Sequence, residues 1–161
     1  METRSMKSQY IKIMGTAYEA GYMLGEKLKE NTELITFMTS PFMGGPALTE
    51  EQYQKVTTYF DCFSPGLTEE LRGFADAVEV DVKTIVYHFV YLQIPGQPNV
   101  LAPACSQIAF TLEATSDGKP LLGRNYDYGW GESPILLETQ IEGEYRQIGF
   151  SCQLFGRFDG M

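Results

Sequence analysis

Cys105 is the residue in this chain best placed for covalent chemistry. It stands between an extended, proline-containing connector, Leu101-Ala102-Pro103-Ala104, and the first residue of a predicted strand, with the small Ala104 just before it. A thiol there can attack the carbonyl carbon of its own preceding residue. An N-to-S acyl shift followed by hydrolysis would free the α-amine of Cys105, and an α-amine of reference pKa about 7.7 to 8 suits a general base at neutral pH. The nucleophile would then carry its own base.

The remaining reactive residues narrow the choices. His88 is the only histidine and falls in a predicted helix ahead of Cys105. A Cys-His hydrolase using His88 is one competing reading, but an N-terminal nucleophile needs no histidine. A cysteine beside a strand can also be a small buried hydrophobe, which is how Cys62 and Cys152 read. Three cysteines with no CxxC pair argue against a disulfide framework and a structural zinc site, and fit a reducing compartment. A single imidazole cannot build a metal centre of several histidines.

The elements that must position these residues change character near residue 95. Before it, helix signals dominate. Tyr18 to about Phe37 is apolar at mostly helical spacing, interrupted by Gly21 and Gly25, and is ended by Pro41 to Pro46. Thr49-Glu50-Glu51-Gln52 has the pattern of a capping box and opens a helix to about Phe60. Ser64-Pro65-Gly66 breaks the chain, after which Thr68 to Val78 and Asp81 to Leu92 read as two more helices, with Asp81 as N-cap.

Beyond the turn-rich Ile94-Pro95-Gly96-Gln97-Pro98 the period becomes two. Ile108, Phe110, Leu112 and Ala114 alternate with mostly polar neighbours, the pattern of a half-buried strand. Asp117-Gly118 supplies a turn, and Lys119 to Tyr126 returns. Ile135 to Ile141 and Tyr145 to Leu154 flank Glu142-Gly143-Glu144 as a second hairpin. The sequence contains no internal repeat and no low-complexity segment.

The run Cys105-Ser106-Gln107-Ile108-Ala109-Phe110, the Asp117-Gly118 turn and the returning Gly123-Arg124-Asn125-Tyr126-Asp127 resemble the start of the mature chain in the choloylglycine hydrolase and penicillin acyltransferase families, which are cysteine N-terminal-nucleophile enzymes. Gly15 to Gly25 is similar to the small-residue-rich opening helix of the acyltransferase branch, and Glu69 to Ala75 to its pro-region. Ala104 stands where that branch commonly has Gly.

The resemblance implies an α+β fold: a helical pro-segment, 1–104, followed over 105–161 by the first antiparallel strands of a four-layer αββα N-terminal-nucleophile sandwich, incomplete in this chain. Family members continue for roughly as long again. It also implies that Cys105 is the nucleophile released by cleavage after Ala104, that Asp127 holds the new α-amine, and that Arg124 lies near the thiolate or substrate. Asn125 and Tyr126 are candidate substrate contacts. Outside the motif, Arg124 and Asp127 would read as a surface ion pair worth about 0 to 1 kcal/mol.

Register decides whether these residues can meet. A five-residue loop from Ala114 to Gly118 sets Cys105 opposite Asp127, whereas a two-residue Asp-Gly loop sets it opposite Trp130. Arg124 and Asp127 are three apart, so a regular strand sends them to opposite faces, and a bulge or strand end near Asn125 is expected.

The implied activity is hydrolysis or acyl transfer on a linear, non-peptide amide through a thioester, with no metal or organic cofactor. The expected partners are a small-molecule amide and a further polypeptide half or a second copy of the chain. A truncated, inactive interaction or folding fragment is the alternative. A formal charge of -9 without a basic patch argues against nucleic acid. No apolar run approaches the ~20 residues of a membrane span, and the N-terminus lacks a secretory signal. A cytoplasmic protein is therefore expected.

Overall fold

In the computed structural model, residues 9–32, 35–36, 48–90, 106–125 and 135–151 are described. They form a mixed α+β fold and fall into two compact units, one within Met1–Gln97 and Ser133–Met161, the other within Pro98–Glu132.

The first unit opens with a strand that the sequence reading did not anticipate. In β1 (Gln9–Gly15), Ile11 and Ile13 are buried while Tyr10, Lys12 and Met14 are exposed, the period-two pattern of a sheet with one covered face. β1 pairs in parallel with β4 (Ile135–Ile141), running from Gln9 opposite Ile135 to Gly15 opposite Ile141. β4 pairs antiparallel with β5 (Gln147–Ser151), completing the order β1-β4-β5.

Helices cover one face of this sheet. α1 (Ala17–Leu28) begins at a Thr16 capping box: the Thr16 hydroxyl accepts from the Glu19 amide at 3.2 Å, and the Glu19 carboxylate accepts from the Thr16 amide at 2.9 Å. It stops at Leu28, well short of Phe37, because Asn31 and Thr32 favour turn hydrogen bonding and the Asn31 carbonyl starts a fresh turn to Ile35. α2 (Glu50–Phe63) carries the expected box, with Gln52 Oε1 accepting from the Thr49 amide at 2.9 Å, and runs three residues beyond Phe60 to Ser64-Pro65-Gly66.

α3 (Leu67–Ala77) ends in a Schellman arrangement in which the Val80 amide donates to the Ala75 carbonyl at 3.0 Å. α4 (Val82–Val90) starts as expected, with Asp81 Oδ1 accepting from the Lys83 amide at 2.8 Å.

α1 and α3 cross at unusually close range. A Cβ on Gly73 would lie 2.0 Å from the Tyr18 carbonyl oxygen, and one on Gly21 would lie 1.9 Å from that of Glu70. Gly21, which looked like a helix interruption, is therefore with Gly73 a contact point, where a missing side chain lets two backbones meet. Leu24, Leu28, Leu71, Phe74, Ile85 and Val86 join Ile11, Ile13, Leu137 and Ile141 in one core.

The second unit is a ribbon of β2 (Ser106–Phe110) and β3 (Leu121–Asn125), paired antiparallel. β2 does not continue to Ala114. Leu112–Ala114 is a 3-10 turn, so residues 111–120 connect the strands. The half-burial expected from alternation is absent: Ile108 is 54% exposed, and Phe110, Leu121 and Leu122 are exposed too.

Candidate active site

The ribbon fixes the frame around the predicted nucleophile. Ser106 stands opposite Asn125 and Gln107 opposite Arg124. Ser106, the residue after Cys105, and Asn125, the residue before Tyr126, thus form the last described pair at one end of the ladder. Ala104, Cys105, Tyr126 and Asp127 themselves lie outside the described residues, as does Cys152.

Neither register expected from loop length holds over the described strands. A five-residue loop would put Ser106 opposite Tyr126, but the ladder is one residue shorter. The cause is the connection. Thr111 leads into the 3-10 turn, and the Thr115 hydroxyl donates to the Lys119 carbonyl at 2.7 Å, so pairing begins only at Phe110 and Leu121. Asp117 caps its own turn, its Oδ1 accepting from the Lys119 amide at 3.2 Å, and Gly118 takes a φ of +66°. At Gly123 a side chain would press on Ile108, since a Cβ there would lie 3.2 Å from its Cγ2. Arg124 and Asn125 are the last two described residues of β3, and the strand end or bulge expected near Asn125 lies outside the described residues.

His88 is half-buried near the end of α4, and burial holds its pKa below the ordinary 6.5. The imidazole is neutral at pH 7. Cys62, expected to be buried, is exposed near the end of α2. Among the described residues no three His, Cys, Asp or Glu side chains converge as metal ligands, and no helix is long and apolar enough to cross a membrane.

One charged cluster escaped the sequence reading. Glu138, 4% exposed, lies on the sheet face away from the helices. Its carboxylate accepts from the Tyr10 hydroxyl, from Arg146 Nε at 3.0 Å and from Lys12 Nζ at 2.9 Å. The Tyr10 hydrogen bond above all, then those of Arg146 and Lys12, hold its pKa at about 2, and the same bond raises that of Tyr10. With every neighbour donating, the group is a satisfied ion cluster. A lone Glu within the mostly apolar Ile135-Leu136-Leu137-Glu138 was its only signal.

The chain matches no protein-family model and no curated protein sequence.

Proposed function

We propose that this chain is the front part of a cysteine N-terminal-nucleophile amidohydrolase or acyltransferase, with an αββα sandwich as its complete fold. The observation that carries the reading is the antiparallel ladder that sets Asn125 opposite Ser106, the residue after Cys105. It pairs Ser106-Gln107 with Arg124-Asn125, the described parts of the two motif segments, and so supports the reading.

In the processing step the Cys105 sulfur attacks the Ala104 carbonyl carbon and the amide C–N bond breaks. The Ala104 acyl group then sits on sulfur, and the nitrogen becomes the Cys105 α-amine. Water cleaves the thioester, returning the thiol and leaving a carboxylate on Ala104. In turnover the α-amine takes the thiol proton, sulfur attacks the substrate amide, and the proton passes to the departing amine. Water or an acceptor amine then resolves the acyl-enzyme. Asp127 orients the α-amine, and Arg124 lowers the thiol pKa from its usual ~8.5.

A thiol-directed acyl probe tests these roles. Followed by mass at the Cys105 peptide, so that labelling of the exposed Cys62 does not count, it should acylate Cys105 in the parent chain, leave that peptide unlabelled with Cys105→Ala, and react there about 100-fold more slowly with Asp127→Asn, the size of effect expected when a general base loses its orienting partner. His88→Ala should react at the parent rate; loss of labelling there would transfer the role of base to His88. The exposed apolar side chains of the ribbon favour a second reading, an inactive folding or interaction fragment. Absence of labelling at Cys105 in the folded parent chain would support that one.

A further inference from the structure

The β1-β4-β5 sheet of the first unit turns one face to the helices and leaves the other without a covering element among the described residues. On that open face, register places Lys12 of β1 and Ile148 of β5 directly beside Glu138, one on each side of it. Tyr10 and Met14 flank Lys12 along β1, and their side chains and that of Ile148 are exposed. An apolar rim therefore surrounds a buried carboxylate.

The charge at this place runs against that of the molecule. In a chain with 21 acidic and 12 basic residues, the cluster sets two cations against one carboxylate. Lys12 Nζ and Arg146 Nε both donate to Glu138 Oε1, at 2.9 and 3.0 Å, while the Tyr10 hydroxyl donates to Oε2. Two nitrogens on one oxygen stand no more than about 6 Å apart, a spacing that a single carboxylate can bridge. Glu138 is itself 4% exposed, whereas the Lys12 and Arg146 side chains are 47% and 64% exposed. The buried acid thus fixes two open cationic groups, whose remaining N–H donors meet no acceptor among the described residues. One surplus positive charge complements a monoanion, and the apolar rim complements an apolar body.

We propose that the open face of this sheet binds a small carboxylate with an apolar tail, its carboxylate bridging Lys12 and Arg146 and its tail lying on the exposed side chains beside them. The site is independent of the Cys105 chemistry. Octanoate, octan-1-ol and acetate test it, followed through the backbone amide resonances of β1, β4 and β5 in the full chain at neutral pH. Octanoate should give saturable shifts and bind at least about tenfold more tightly than octan-1-ol, which lacks the charge, and than acetate, which lacks the tail. Arg146→Gln should weaken octanoate about fivefold and leave octan-1-ol unchanged, Arg146→Lys should keep most of the octanoate affinity, and Ile148→Ala should weaken both long probes. Equal affinities for octanoate and octan-1-ol, acetate binding as tightly as octanoate, no saturable shift with octanoate, or unchanged octanoate binding by folded Arg146→Gln would each overturn the proposal.

Discussion

Glu138 shows how one residue can tie a sheet to pH. Its folded pKa of about 2 lies below the ordinary 4.5, so the ionised form is favoured by folding. The stabilisation is fully present above the unfolded value and is lost as pH falls from about 4.5 through 2. Glu138→Gln removes the proton-linked part: melting temperature should drop at pH 7, and its dependence on pH between 2 and 4.5 should flatten. Parallel thermal melts across that window check this, and curves of unchanged slope would refute it. The cluster was illegible because Tyr10, Lys12 and Arg146 reach Glu138 only once β1 and β5 flank β4. Cys105, Arg124 and Asn125, by contrast, stood out through a contiguous pattern that needs no tertiary partner to be seen.

Among the elements, the α1–α3 crossing is the most sensitive to a single atom. Gly73→Ala drives a methyl into the Tyr18 carbonyl, where backbone has no room to yield. A loss of about 3 kcal/mol follows from overpacking, or a fall of roughly 10 °C in Tm for a chain of this size. Gly118→Ala meets nothing within 4 Å and strains only a φ of +66°, so about 1 kcal/mol is expected. Comparable losses at the two sites in chemical denaturation would show that contact is not what selects glycine at 73. Capping boxes at Thr16 and Thr49, the Asp81 cap and the bounds of β4 follow local rules, and those at Thr49, Asp81 and β4 were readable in advance. β1 was not, since its alternation is blurred by Tyr10 and Met14 on the open face and its partner, Ile135 onward, is remote in sequence. The end of β2 was misread because alternation continues through Leu112 and Ala114, where Thr111 and Thr115 instead close a turn.

For the molecule as a whole, β1 and β4 lie on either side of the 104–105 bond yet pair along their full seven residues and share one core. Cutting that bond would leave two polypeptides joined by a buried parallel ladder, which cannot separate without exposing Ile11, Ile13 and Leu137 to water. The intact mass of the purified chain, taken under native and then denaturing conditions, tests the central claim most directly. One native species that resolves on denaturation into residues 1–104 and 105–161, with Cys105→Ala staying whole, is the predicted result; a folded parent chain that remains a single 161-residue polypeptide after prolonged incubation would contradict it.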